Sequence, residues 1–557
     1  MDFKRMMTAM ALSLLILMGW QKLFPPPEPA AVQQPAATAE AKQQATALNV
    51  SAPLTVETDT VKALIDEKSG NLLGLTLRRY NATNDEQKPF VLFQTGKEHN
   101  YAALSSVVDE KHNNLLEKTS FSAAQKSYSL QGDKLEVRLS APEQNGLQVE
   151  KVYTFSKNSY LINVRFELKN TGSEPLKVGG DYQIVRDNST PEGEGWFMHS
   201  YTGPVVYTPE GEFQKVEFSK LDDDFKSSRD TAEYQRKSQG GYTGMIQHYF
   251  MSAWVMQPEK GANACANGCE MSVKRVGENL YRAGVYPAAI EIAPGQSKTL
   301  SADLYAGPQI TEILKSTAPN LELAKDYGRV HIFAAPLFAL LKWLHSLIGN
   351  WGWAIVVLTL IVKIVLYPLN NAAYRSTAKM RVLAPKMEAL KKKYGEDKLA
   401  MQQAMMQLYK DEKINPLGGC LPMLVQMPIF IGLYWMIFLS VELRQAPWLG
   451  WISDLSRPDP WYVLPAMMAA TMWFQTKLNP APTDPMQAQM MKIMPLVFSV
   501  MFFFFPSGLV LYYVVNNLLT IAQQWHINRR MGFAGAAPAV EVLDKEPAAK
   551  GGKGKKK

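Results

Sequence analysis

Apolar positions follow two different patterns along this chain, and the switches between them set the domain order. Residues 1–24 hold a continuous apolar run, Met6 to Trp20, preceded by Lys4 and Arg5. Five more runs follow late in the chain, at 351–369, 420–441, 461–477, 490–505 and 507–525. A helix crosses a bilayer with roughly 20 apolar residues, so the runs predict six transmembrane helices. Basic residues collect on the cytoplasmic side of such spans. Lys4 and Arg5 therefore place the N-terminus inside, and six crossings bring the C-terminus back inside. No A-x-A-like site follows the first run, and PPPEP begins at Pro25, so an uncleaved anchor is expected.

Between the first and second runs the pattern changes. Residues 25–51 are rich in Pro, Ala and Gln and poor in aromatics, the composition of a disordered tether. From 52 to 320 the apolar period is two. Tyr160, Ile162, Val164, Phe166 and Leu168 share one face, opposite Asn163, Arg165 and Glu167, and Asn170-Thr171-Gly172 supplies a turn. Leu135, Val137 and Leu139 alternate with Glu136 and Arg138 in the same way. Repeated half-buried strands of this kind predict a large all-β sandwich outside the membrane. The acidic run Asp222 to Asp224 shows no catalytic spacing and reads as solvated loop.

Residues 321–350 return to helical spacing, with Phe333, Leu337, Leu340, Leu341, Leu344 and Ile348 as one stripe. Such a helix, just before a span, is expected to lie in the interface plane. His345, alone between these residues, reads as interfacial and not as a ligand. After the second run, residues 370–418 carry the stripes Met380, Leu383, Met387, Leu390 and then Met401, Met405, Leu408, separated by Gly395-Glu396-Asp397. This predicts a helical hairpin. From Arg375 to Lys413 there are ten Lys/Arg against five Asp/Glu, which puts the hairpin in the cytoplasm. It reads either as a solvated pair with snorkelling basic residues or as a docking arm, for which Arg375, Lys379, Arg381, Lys391, Lys392 and Lys393 are the candidate contacts.

One charge interrupts the second run. Lys363 stands six residues before Leu369, about 9 Å of helix at roughly 1.5 Å per residue. A lysine at such a depth costs on the order of 2.5–3.5 kcal/mol on insertion scales. It either snorkels to the headgroups or faces a wet, protein-lined cavity, the default reading for an ionisable group inside a membrane. Thr359, one turn earlier, extends the same polar stripe.

Composition changes little of this picture. The net charge of the 557 residues is +8, and placement matters more than size. The basic segment 529–557, with Arg529, Arg530 and the terminal Lys555, Lys556 and Lys557, suits anionic lipid or RNA phosphates equally. Three cysteines make no disulfide framework, although Cys265 and Cys269 are close enough to pair. No HExxH, P-loop, GxSxG or CxxC pattern occurs, so neither a metal nor a cofactor is expected.

Three strings carry a resemblance: NPLGGCLPMLVQMPIF at Asn415 to Phe430, VELRQAPWLGWISDLS at Val441 to Ser456 and FPSGLVLYYVVNN at Phe505 to Asn517. They are similar to the YidC-type membrane protein insertases, closely over Leu321 to Arg530. GGYTGMIQHYF at Gly240 to Phe250 resembles the Gram-negative form with its large periplasmic domain. The resemblance implies a polytopic inner-membrane protein: a five-helix insertase core, an accessory first helix, and a periplasmic β-sandwich. It also implies a hydrophilic groove open to cytoplasm and lipid. Where that family carries an arginine, this chain has Lys363. Arginine stays charged, whereas a buried lysine can release its proton, so the substitution makes the groove's charge state variable. Thr359 matches a groove position, and Tyr512 or Tyr513 a substrate-facing tyrosine. Gln426, Asn516, Asn517 and Thr520 are added on polarity and position, and each serves equally well as an interhelical hydrogen-bonding group.

The expected function is insertion and folding of inner-membrane proteins without enzymatic chemistry, alone or beside the Sec translocon. Nascent chains are the substrates. The ribosome, the signal recognition particle machinery and anionic lipids are partners for the hairpin and tail. Met467, Met468, Met472, Met490, Met491 and Met494 offer an adaptable apolar face for the entering segment. A membrane-anchored periplasmic protein acting on or binding carbohydrate is the alternative. It lacks a clustered carboxylate pair, and five further spans would be superfluous. A solute transporter is disfavoured because no internal repeat is evident.

Overall fold

In this computed structural model the described residues are 48, 50–83, 85–97, 99–194, 200–256, 265, 267–325, 327–395, 397–412, 421–478, 489, 493 and 499–530. The expected first span, nearly all of the tether, most of the run 490–505 and the tail beyond Arg530 lie outside them, as do Lys555, Lys556, Lys557, Met490, Met491 and Met494. The chain divides into two compact units.

The first unit in chain order is a β-sandwich. One sheet runs, edge to edge, through Lys237–Ser238, Cys269–Gly277, Leu280–Pro287, Leu176–Arg186, Tyr101–Val108, Leu72–Asn81, Val61–Asp66, Pro53–Glu57 and Ser127–Ser129. The other runs through Glu212–Lys215, Gly203–Thr208, Gly241–Gln247, Phe250–Met256, Ser297–Pro308, Leu161–Asn170, Leu147–Ser156, Lys134–Ser140 and Ser122–Ala123. Among the described residues, pairing is antiparallel except between Pro53–Glu57 and Ser127–Ser129. The alternation read from the sequence is the register observed: Tyr160, Ile162, Val164, Phe166 and Leu168 are all buried in the core. Asn170-Thr171-Gly172 does not close a hairpin, because the chain crosses there to the opposite sheet. The Asn170 carboxamide holds that crossing, donating to the Glu174 and Ile292 carbonyls at 2.7 and 2.8 Å.

Hydrogen bonds cross between the two sides of the sandwich, among them Trp254 Nε1 to the Gln183 carbonyl, Tyr153 Oη to the Gly70 carbonyl, Lys151 Nζ to the Ser105 carbonyl, and Tyr101 Oη with Ser252 Oγ, at 2.9, 2.6, 2.8 and 2.7 Å. The run Asp222 to Asp224 is not loop; it lies on the helix Phe218–Ser227. Asp222 accepts from Arg275 Nη1 at 2.9 Å and Tyr281 Oη at 2.7 Å, and Asp224 accepts the Thr231 and Ala232 N–H groups. A carboxylate can be nearly buried when its lone pairs are filled this way, which sequence proximity does not reveal. Cys265 and Cys269 are joined as a disulfide.

The second unit is helical. Its helices are α1 (His331–Ile348), α2 (Trp351–Val365), α3 (Tyr367–Tyr394), α4 (Lys398–Asp411), α5 (Leu421–Leu439), α6 (Val463–Leu478) and α7 (Ser507–Arg530). Among the described residues, α1 alone and the bent pair α2 with Tyr367–Ser376 have the length and hydropathy to cross a membrane. In α1 the buried face is Ala334, Phe338, Leu341 and Leu344, whereas Phe333 and Ile348 of the expected stripe are exposed. The helix is apolar nearly all round, so its periodicity marked the packed face poorly. His345 stacks on Trp351 with ring centroids 3.9 Å apart.

The run 351–369 is continuous in hydropathy but not in backbone, because the axis turns by 63° between α2 and α3. Pro368 explains the break: it offers no N–H, and its ring clashes with the carbonyl four residues back. Asn350 starts α2 by accepting from the Trp353 N–H, while its own amide donates to the Pro447 carbonyl at 3.1 Å. Gly352 sits under the Trp448 indole, where an added Cβ would lie 2.1 Å from Cδ1. Asp459 caps α6 through the Leu464 N–H and also accepts from Trp451 Nε1.

Candidate functional site

The polar groups of the helical unit converge on α7. Its sequence alternates apolar residues with Asn516, Asn517, Thr520, Gln523 and Gln524, so part of each turn is polar. Lys363, on the last turn of α2, donates from Nζ to Thr520 Oγ1 at 2.7 Å. Thr520 in turn donates to the Asn516 carbonyl at 2.8 Å. The ammonium is half-buried and forms no ion pair among the described residues. A charge so placed is satisfied by hydroxyl and not by carboxylate, which leaves it able to attract an incoming anion. Thr359 is buried and turned inward on its own helix, its hydroxyl donating to the Ile355 carbonyl at 2.7 Å.

Two turns nearer the start of α7 stands a second polar pair. Gln426 of α5 donates from Nε2 to Tyr512 Oη at 2.6 Å, and Tyr512 is fully buried. Its neighbour Tyr513 is half-buried, edge-on to the Phe430 and Phe502 rings at 5.0 Å each. The two tyrosines therefore part company: one is tied into the packing, the other is partly open. Asn517 is also tied in, its Nδ2 lying 3.3 Å from both Met468 Sδ and Thr471 Oγ1 of α6. Sequence reasoning missed Thr471, although a hydroxyl inside an apolar run was a usable signal. Of the expected methionine face, Met467 is exposed and Met468 buried, so the two do not share a surface.

The basic candidates stand apart from this cluster. Arg375, Lys392, Lys393, Arg529 and Arg530 are exposed, and the Arg529 guanidinium lies 5.4 Å from the Trp525 ring centre. The side chains of Lys379, Arg381 and Lys391 lie outside the described residues. The hairpin of α3 and α4 is joined by Lys386 to Glu412 at 2.6 Å, and Asp397 caps α4 through the Leu399 and Ala400 N–H groups.

The family model described as 60Kd inner membrane protein matches residues 343–534, and that of the YidC periplasmic domain matches 53–340. The Membrane protein insertase YidC of Neisseria meningitidis serogroup C (strain 053442) is 62% identical over 535 residues, 95% of this chain and 98% of that one. The chain belongs to the YidC family of membrane protein insertases. The YidC of Laribacter hongkongensis is 47% identical over 546 residues, again 95% of this chain and 98% of that one. Among solved structures, an active YidC insertase with its first transmembrane domain resolved is 20% identical, covering 85% of this chain and 92% of that one at TM-score 0.38. A galactose mutarotase related enzyme from Lactobacillus acidophilus is 10% identical, over 46% of this chain and 97% of that one at TM-score 0.29.

The carbohydrate alternative is not supported, because relatives matched along nearly the whole chain are insertases. As a YidC insertase the protein is not an enzyme; it is an inner-membrane protein with a β-rich periplasmic domain.

Proposed function

We propose that this insertase moves a short hydrophilic segment part-way through the bilayer along a groove whose charged end is Lys363, while the adjoining apolar segment passes into lipid. The observation that carries this reading is the Lys363–Thr520 contact, a single ammonium held by a hydroxyl between apolar helices. Acidic groups on an incoming tail would meet that ammonium away from bulk water, where opposite charges attract strongly. Tyr513, half-open beside the buried Tyr512, is the substrate-facing tyrosine of the two in this reading. Thr359, Gln426, Asn516, Asn517 and Thr520 line or brace the same stripe.

The finer topology belongs to the same proposal: six spans, both termini cytoplasmic, the sandwich periplasmic. Nascent inner-membrane proteins are the clients. The ribosome, the signal recognition particle machinery and anionic lipids are the partners assigned to the exposed basic hairpin and the tail, and the protein works alone or beside the Sec translocon. The test is insertion of a small, acidic-tailed, single-span protein into liposomes holding only this protein. Protease protection of the span, reduced in Lys363→Ala, supports the reading; undiminished protection in that variant overturns the role of the lysine.

A further inference from the structure

Beyond Lys363 the polar stripe continues with atoms that meet no hydrogen-bond partner among the described residues. Asn370, on the first turns of α3, is 4% exposed, and its Nδ2 meets no acceptor among the described residues. Gln524 of α7 is 6% exposed with Oε1 unpaired, and Nε2 of its neighbour Gln523 is unpaired as well. Gln524 lies one helical turn beyond Thr520, the residue that holds Lys363. Asn370 lies one turn before Tyr374, whose hydroxyl also interacts with Thr520. The unpaired carboxamides thus flank a single point where α2, α3 and α7 meet.

Buried polar atoms in native proteins almost always find partners, so three within a helical turn of one junction call for a ligand. The ligand's chemistry follows from what is offered: neutral donors and acceptors, not charge. An apolar segment entering as a helix satisfies its own peptide groups except in its terminal turns and in its non-helical flank. Those peptide groups lose water as they leave the cytoplasm and cannot find partners in lipid. We propose that Asn370 and Gln524, assisted by Gln523, bind the unpaired backbone N–H and C=O groups of the incoming polypeptide at the end of its apolar segment. The inference deepens the groove reading above and rests on it. It assigns side-chain recognition to Lys363 and backbone recognition to the carboxamides.

The full-length protein in liposomes tests the division, with two single-span substrates that differ only in an acidic tail or its Asn/Gln counterpart. Asn370→Leu and Gln524→Leu are each expected to slow both substrates alike, by about fivefold, as expected for one lost hydrogen bond. The double variant should slow them further, and Asn370→Gln, which keeps the carboxamide, should recover part of the rate. Lys363→Met should slow the acidic-tailed substrate alone. Thermal unfolding of the leucine variants should be unchanged or raised, since an unpaired polar group has been removed from an apolar site. Wild-type rates in the double variant overturn the inference, as does a loss confined to the acidic tail or one that tracks a lowered unfolding temperature. Slowing of both substrates by the leucine variants, with Lys363→Met silent, would sustain backbone recognition while removing the lysine's role. A wild type that inserts neither substrate overturns the groove reading itself.

Discussion

Two lysines, one in each unit, have been taken out of water, and the protein treats them differently. Lys151 projects into the sandwich core and is fully buried. Its ammonium donates to the Ser105 carbonyl and lies 5.4 and 5.1 Å from the Tyr153 and Phe166 ring centres. No carboxylate pairs with it among the described residues, and burial pushes it well below its ordinary pKa. Lys363 is only half-buried, and its partner is a hydroxyl on a neighbouring helix. The first is sealed by two sheets that nothing in the proposed mechanism needs to open. The second sits where the helices leave one side accessible. Burial alone therefore does not mark a functional charge; access does.

The comparison breaks first at Lys151. Lys151→Met should stabilise the sandwich by about 1–4 kcal/mol, because a well-packed apolar isostere removes a charge that must be desolvated. Slower hydrogen exchange along Leu147–Ser156 in the full-length protein would show it, and faster exchange would mean the lysine is a net stabiliser. The same residue sets a pH dependence. Its folded pKa lies below the unfolded value near 10.4, so between the two the unfolded chain binds more protons. Wild-type stability should rise with pH through that window, by at most about 1.4 kcal/mol per pH unit, and the rise should vanish in Lys151→Met.

At the other lysine, Lys363→Met should reduce insertion of an acidic-tailed substrate by about tenfold, roughly 1.4 kcal/mol, with a neutral-tailed substrate unaffected. Equal loss for both tails would make Lys363 as structural as Lys151. The smallest effect is expected at the buried tyrosine two turns nearer the start of α7. Tyr512→Phe removes the bond from Gln426 and should lower thermal stability by about 1 kcal/mol. Insertion should stay near wild type, whereas Tyr513→Ala should impair it; the reverse pattern would exchange their roles.

The residues themselves show which parts of this were legible. Period-two alternation in 160–168 gave both the strand and its buried face, because a half-buried sheet leaves that imprint on sequence. In the structure Lys151 shares the inward register of Leu147, Val149, Tyr153 and Phe155, and no local pattern says that a lysine there is tolerated. In α1 an almost wholly apolar helix hid which face would pack. The bend at Leu366 was written in Pro368, although hydropathy ran straight past it.

By itself the sequence determined the order of the units, the strand faces, the apolar helices, the lone charge at Lys363 and, through its long motifs, the insertase family. These are local or statistical properties, each carried by neighbours within a turn or a strand. Tertiary structure decided which polar residues are spent on the fold and which are left over. Thr520 holds Lys363 from 157 positions away, Gln426 ties Tyr512 from 86, and Asn517 is bound to Thr471 while Asn370 and Gln524 pair with nothing described. Whether a hydrogen-bonding group is satisfied depends on what the fold brings within about 3 Å of it, and no spacing along the chain encodes that distance.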